Sequence, residues 1–345
     1  RGHRAVLVAH RDGELFRRAR EGPDLVPFAP GSEIDLATAW KLSKIIREWK
    51  PAIVHAHDPH AVSMAALALS FGAPTPRPKT VASRRVDFHL QSHAFSQWKY
   101  RQVDAFIAAS DAIKAILIGD GIAAEKIDVV HDGIDIDTIA KRPRLDLHSE
   151  YWLPHGVPVI VNVGALVGHK GQRYLVEAMP LVMRDVPDAH LVIFGEGELR
   201  APLEKQIKQL NLTKRVLLPG FREDVLSLMK SADLFVMSSI TEGLGSAVLD
   251  AMAMGLAVVG TRAGGIPEAV INEETGRLVE PADPRALAEA ITTLLKNREL
   301  RREYGDAGRA RVTRHFDVDH LVDGTLAVYQ RVAGRSADSQ SANSA

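Results

Sequence analysis

Short apolar runs alternate along this chain with stretches whose apolar residues recur at helical spacing. In the first half the runs fall at 5–9, 52–57, 80–83, 105–110 and 128–131. Each is too short for a helix and is bounded by turn residues, as expected of a strand covered on both faces. Between them, Leu36, Ala39, Leu42, Ile45, Ile46 and Trp49 share one helical face, and Asp35 stands where an N-cap belongs. Ser110 likewise precedes a helix expected over 111–118. Such alternation predicts a parallel, doubly wound sheet.

Residues 132–156 carry two prolines, mixed charge and little period, and read as a linker. A second alternation follows, with strands expected at 157–163, 190–194, 215–218, 234–238, 257–260 and 277–279. Helices are expected over 284–296 and 298–314, and a last amphipathic one over 317–332. The expected class is therefore α/β, with two Rossmann-like domains at 1–140 and 155–315 facing across a cleft. Ligands of such folds bind at the carboxyl ends of the strands. The Ser- and Ala-rich end, 334–345, lacks period and is expected to be disordered.

Composition narrows the chemistry. The chain has 345 residues, 46% hydrophobic and 25% charged, as in a globular protein of two domains. Its 43 basic and 43 acidic residues cancel, which removes any general attraction to nucleic acid. The absence of cysteine excludes disulfides, thiolate metal sites and a cysteine nucleophile. No apolar run reaches the roughly 18 residues that a membrane-spanning helix needs.

Three strand-following segments carry candidate chemistry. In Gly164-Ala165-Leu166-Val167-Gly168-His169-Lys170-Gly171, the lysine sits just before a helix start, where orphan N–H groups and the dipole favour a phosphate. In the segment 239–250, Gly243 and Gly245 expose backbone N–H groups, Glu242 can accept from sugar hydroxyls, and Asp250 can accept from a ribose. Eight helical residues rise about 12 Å, more than the roughly 5–9.5 Å between paired glycosidase carboxylates. Glu242 and Asp250 thus suit two contacts along an extended ligand. The third segment, Thr261-Arg262-Ala263-Gly264-Gly265-Ile266-Pro267-Glu268, is a tight turn before a helix; a purely structural role is equally consistent with it. Gly195-Glu196-Gly197 and Gly220-Phe221-Arg222 are weaker loops of the same kind.

In this order the segments resemble the retaining glycosyltransferases of family 4 (group 1), as do 130–135 and 275–279. The resemblance covers about 1–332. It implies a GT-B architecture, a nucleoside diphosphate sugar donor (UDP- or GDP-linked), no cofactor and no metal. It implies that Lys170 binds the diphosphate and that Glu242 meets the transferred sugar. Gly243, Leu244, Gly245 and Ser246 would supply loop N–H groups, and Asp250 would hold the ribose. Gly164, Gly195, Phe221 and Arg222 would complete the donor site. It also implies a first strand and Gly-rich loop, which would lie upstream of Arg1.

Two departures bear on catalysis. Ala165 stands where the family usually has Arg, so half of a cationic clamp is missing. After 80–83, where the family often has a catalytic-site His, this chain has Arg84-Arg85. These arginines could bind the diphosphate or an anionic acceptor, and Arg85 joins Glu242 and Lys170 as a catalytic candidate. His57 and Arg262 are further cleft candidates. A metal site in His55-Ala56-His57-Asp58-Pro59-His60 is disfavoured by the family and by the missing cysteines.

The function expected is sugar transfer to the hydroxyl of a glycan, lipid-linked or small-molecule acceptor with retention, in cell-surface glycan or glycolipid synthesis. The expected location is cytoplasmic, peripheral at the inner face of the membrane. The region 91–101, with Phe95, Trp98, Lys99 and Tyr100, is either a membrane-facing patch or a core-facing helix. The rivals are a nucleotide-sugar epimerase and a non-catalytic nucleotide-sugar binder.

Overall fold

The computed structural model describes residues 2–19, 22 and 24–342, with side chains described through 334. Its strands are β1 (Val6–Ala9), β2 (Asp24–Pro27), β3 (Ile53–Ala56), β4 (Lys79–Arg84), β5 (Ala105–Ala108), β6 (Ile127–Val129), β7 (Val159–Val163), β8 (His190–Phe194), β9 (Val216–Gly220), β10 (Leu234–Met237), β11 (Val258–Thr261) and β12 (Gly276–Val279). All pair in parallel. Every expected strand is present. The one that the alternation does not predict is β2, where two apolar residues lie between an aspartate and a proline.

The strands form a six-stranded sheet, β12-β11-β10-β7-β8-β9, a four-stranded sheet, β3-β4-β5-β6, and a separate pair, β1-β2. The six-stranded order reverses at β7/β10, and in doubly wound sheets a ligand crevice opens at that point. Period-2 alternation sorts its side chains. Ile160, Leu191, Val236 and Val259 join one core with Leu175 and Met179 of the Gln172–Asp185 helix and with Leu287 and Ile291 of the Pro284–Lys296 helix. Phe235, Met237 and Val258 face the other way, onto Val248 and Met252 of the Ser246–Ala253 helix. Each such side chain, taken fully from water, contributes about 1.5–3 kcal/mol. The sheet that carries the second and third motif loops is therefore firmly held.

Helix starts follow the capping expectations. Asp35 accepts from Thr38 N, and Ser110 from Ile113 N. The same rule finds two short helices within the segment read as a linker, 132–156. Asp135 caps a short helix at Ile136–Lys141, and Asp146 caps another at Leu147–Glu150. Leu147 is fully buried beside Val159 and Val192, so this segment is anchored to the second sheet.

The chain crosses between the sheets twice, and the two crossings are zipped together. Ile134 N donates to Phe316 O (2.9 Å), and Val318 N donates to Ile134 O (3.0 Å). The final helix, Val318–Ala342, then returns over the first sheet. Its Val328 and Val332 pack on Val81, Ala105 and Ile107. Its backbone stays helical beyond the expected end at Val332; of the tail expected to be disordered, 343–345 lie outside the described residues. The helix Ala94–Arg101 turns inward. Tyr100 packs on Phe106, and buried Lys99 pairs with Glu33, which favours the core-facing reading of 91–101. No helix among the described residues is long and apolar enough to cross a membrane.

Candidate active site

The turn after β7 and the loop after β10 come together. Ser238 Oγ donates to Lys170 O (3.2 Å), and Ile240 N donates to His169 O (2.7 Å). Gly171 makes this approach possible: a Cβ there would lie 2.1 Å from Ser238 O. Knitting the loops places Lys170 Nζ 2.6 Å from Glu242 Oε2, with the side chains only 19% and 11% exposed. Ser239 Oγ donates to the same carboxylate oxygen (2.9 Å). Water screens such a pair poorly, so it holds its geometry better than a surface ion pair does.

Immediately after Glu242, no described group accepts a hydrogen bond from the N–H of Gly243, Leu244, Gly245, Ser246 or Ala247. The loop runs straight into the Ser246–Ala253 helix, with Gly245 in a left-handed conformation (φ 89°) at its N-cap. Consecutive unclaimed amides at a helix start form an anion cradle. Leu244 itself is core, so it offers only its backbone.

Asp250 lies one turn into this helix rather than the two that its spacing from Glu242 implies, because the helix begins only at Ser246. Its carboxyl is pushed up to about 6, chiefly by burial, with nearby Arg142 acting in the opposite direction. Among the described residues nothing donates a hydrogen bond to it. The carboxylate is half-buried and has no protein donor, so it is open to a hydroxyl from a ligand.

Gly164 lies against the Lys170 chain: a Cβ there would meet Lys170 Cδ at 3.7 Å. Gly195 is packed on Gly164 O. Ala165 is exposed beside them. Phe221 is 70% exposed, an unusual state for so large an apolar ring. The Arg222 guanidinium is committed elsewhere, forming a fork with Asp224 (2.8 Å twice) and pairing with Glu150 (2.6 Å). Only its backbone is free for a ligand. Arg262 pairs with Glu280 (3.5 Å) at an exposed position, and no contact ties it to the Lys170–Glu242 pair.

The first sheet contributes unequally. Strand alternation separates the two neighbouring arginines. Arg84 bonds back to Phe88 O within its own loop. Arg85 lines a cavity of about 300 Å³ with His55, His57, Ser83, Asp132 and Tyr329. Its Nε lies 3.2 Å from Asp132 Oδ1, although the geometry leaves that oxygen without a hydrogen bond. Burial raises the Asp132 carboxyl, with Arg85 lowering it in part. His55, bonded to Tyr329 OH (2.6 Å) and Ser83 Oγ (2.8 Å), is lowered to about 3 by burial and is neutral. His57 stacks on it and is also lowered, by burial and then by Arg85. The Arg85 carbonyl packs against Gly243, where a Cβ would sit 2.2 Å away, and Phe88 meets His169 edge-on. Arg85 and the Glu242 loop thus meet across the cleft. No group of three or more metal-binding side chains is assembled among the described residues.

Residues 145–311 match the family of glycosyl transferases group 1, and residues 1–138 match glycosyltransferase family 4. The glycogen synthase of Mycobacterium tuberculosis is 30% identical over 300 residues, spanning 82% of this chain and 69% of the relative. The chain belongs to the group 1 glycosyltransferases. In fold, this glycosyltransferase is similar to one from Rickettsia africae (TM-score 0.82, 22% identity, 96% of this chain and 90% of the other). It is also similar to Anabaena HepE in complex with UDP-glucose (TM-score 0.76, 24% identity, 96% and 91%). These are two-domain GT-B structures, and the expected fold class agrees with them.

Several residues of this glycosyltransferase site carry no sequence signal as individuals. Ser239 becomes visible only through its bond to Glu242, and Asp132 only through its place beside Arg85. Glu268, given no role by the motif, lies where the two sheets meet.

Proposed function

We propose that this glycosyltransferase moves a sugar from a UDP- or GDP-linked donor to the hydroxyl of a glycan, lipid-linked or small-molecule acceptor, retaining the anomeric configuration. The observation that carries the reading is the run of unclaimed amides at 243–247 directly beside the Lys170–Glu242 pair. A diphosphate satisfies the amides and gives Lys170 a second anionic partner. The sugar hydroxyls take Glu242, and the ribose takes Asp250.

In the transfer, the bond between the anomeric carbon and the diphosphate oxygen breaks, and the acceptor oxygen bonds to that carbon from the same face. The acceptor proton passes to the departing phosphate oxygen. Lys170 and the amides stabilise the charge that develops there, and Arg85 approaches from the other side of the cleft. No side chain is asked to act as a nucleophile. The reading needs neither metal nor cofactor. It places the enzyme in the cytoplasm, peripheral to the inner membrane face, in cell-surface glycan synthesis. UDP is the first nucleotide to try, since HepE has been captured with UDP and with UDP-glucose. Ala165, in place of a second cation, favours one other reading, a binder that does not turn over.

Thermal shift with UDP, GDP and ADP tests the donor. A nucleotide at 100 times its dissociation constant stabilises by about 2.7 kcal/mol. One of the three should shift wild type and shift Lys170→Ala distinctly less; equal shifts in both would remove Lys170 from the site. Donor binding without any transfer across an acceptor panel would establish the binder instead. NMR of the product's anomeric proton reads retention, and turnover unchanged by EDTA is expected.

A further inference from the structure

Glu268 stands on the short Ile266–Ala269 helix of the second sheet, yet its carboxylate reaches the first. It accepts from Asp111 N (2.9 Å) and Ala112 N (3.1 Å), the opening amides of the Asp111–Gly119 helix, and bonds His131 Nε2 (2.8 Å). The side chain is only 21% exposed. From behind, Arg311 donates to the carbonyls of Glu268 and Ala269 and fixes the short helix in place.

The turn preceding it is built for close approach. A Cβ on Gly265 would lie 2.8 Å from Ser110 Cβ, across the interface, and 2.3 Å from Gly243 O. Gly265 N donates to the carbonyls of Glu242 and Gly243 (3.2 and 3.1 Å). The segment that grips the first sheet is therefore the segment that shapes the Glu242 loop. His131 lies beside the crossing at Ile134, and its ring meets Phe316 of the other crossing.

We infer that Glu268 is a positioning residue, a clasp between the two sheets that holds the cleft closed and sets the Glu242 loop against Arg85. Its chemistry suits the task. Burial alone would raise the carboxyl, but the bonds from His131 and the two amides offset this and hold it below the usual range. The clasp is thus an anion seated on a helix start, a favourable arrangement that exists only while the sheets are together. Opening the cleft would bare that carboxylate and the two amides at once.

The absence of cysteine gives a clean test of conformation. Cysteines placed at the exposed positions Ala123 and Ala201, one in each unit, carry a fluorophore pair. Charged hydrogen bonds of this kind are worth roughly ten- to hundredfold in an equilibrium. Glu268→Ala should move the population away from the wild-type transfer efficiency by about that factor, and Glu268→Gln, which keeps one acceptor oxygen, should fall between. A folded Glu268→Ala with the wild-type distribution overturns the clasp. If that variant does not fold, a Glu268→Gln indistinguishable from wild type does so.

That the clasp serves catalysis rests on the donor reading above. With UDP-glucose as the probe, Glu268→Ala should lower kcat about tenfold or more while the UDP dissociation constant stays within about threefold. A loss confined to UDP affinity overturns the positioning role. No UDP binding by wild type would sink the donor reading and leave the fluorescence result standing.

Discussion

The two halves use the same alternation of strand and helix but enclose their cores to different degrees. In the second half, every residue of β8 and β10 is buried, and the six strands form one continuous sheet. In the first, β1 pairs only with β2, and β3 pairs only with β4, so neither has a described strand on its other edge. Val8 of β1 and Val54 of β3 nevertheless rest on one shared cluster under the Leu36–Trp49 and Pro59–Ser70 helices, and both stay half-buried. Half-buried strands open at lower free energy than fully buried ones. The loops bearing Lys170 and Glu242 follow strands enclosed on both edges, and so does Arg85, since β4 is paired on both sides and β5 beside it is fully buried; only His57 follows a half-buried edge strand, β3. On the proposed reading, the donor then rests on enclosed strands, and only the His57 side of the cleft is backed by a half-buried strand.

The largest effect should come from the second half. Gly264 has φ +50°, and a Cβ there would lie 1.7 Å from the Glu242 carbonyl oxygen. Backbone meets backbone, so no rotamer change relieves the clash. Gly264→Ala should cost about 3 kcal/mol or more in urea unfolding and should disorder the Glu242 loop. A cost below about 1 kcal/mol would mean that this loop is as yielding as a half-buried edge strand.

Next in size is the contrast between cations. Lys170→Ala should weaken UDP binding about 10–100-fold, the scale of a lost charge-assisted hydrogen bond in a shielded site. Arg84→Ala should change it less than about twofold, since its guanidinium is turned to its own loop. Calorimetry with UDP separates the two. An Arg84 effect as large as that of Lys170 would break the assignment of donor binding to the second half.

The same contrast explains what could be read from the sequence. The strands of the second half are dense in Val, Ile and Leu and end in glycine-bearing loops, so their positions and the donor motif were both legible. Lys170 and Glu242 could be named, although their direct contact depends on Gly171 admitting Ser238 O. In the first half the periodicity located most strands but missed β2, whose apolar content is too low to register. Arg85 could be named ahead of Arg84, but that Arg84 turns back to its own loop depends on where β4 ends. The short helices at 136–141 and 147–150 were hidden because a four- to six-residue helix shows no period; only the caps Asp135 and Asp146 announce them. Glu268 lay in a quoted motif, but its partners at 111, 112 and 131 are distant in sequence.

Smaller again is the effect of relieving the orphan carboxylate. Asp250 has a folded pKa of about 6, against about 3.9 for an unfolded aspartate. Between these values the native state holds the extra proton, so stability falls as pH rises from about 4 to about 6 and is level above. Asp250→Asn removes that loss. It should stabilise the chain by about 1–2 kcal/mol at pH 8 and by little at pH 4, while weakening UDP affinity. Thermal melts at the two pH values check the sign; a variant less stable at pH 8 would mean that the carboxylate has a partner in the free protein.

The smallest expected effect addresses the missing cation. Ala165 is exposed next to Gly164 and Lys170, and Gln172 Nε2 occupies its carbonyl, so the backbone there is held while the side-chain direction is open. An arginine at this position adds a fork suited to a diphosphate without displacing any packed group. Because the position is solvated, the gain is that of an exposed ion pair, about 0.2–1 kcal/mol, or less than about sixfold in UDP affinity. It should shrink further between 50 and 500 mM salt as screening sets in. Titration of Ala165→Arg with UDP at both ionic strengths decides the matter. A gain well above tenfold would show that the wild-type cradle is short of charge and that Arg85 does not reach the diphosphate. A salt-sensitive gain of a few-fold would show that the amides and Lys170 already carry most of the binding, with the second half sufficient by itself.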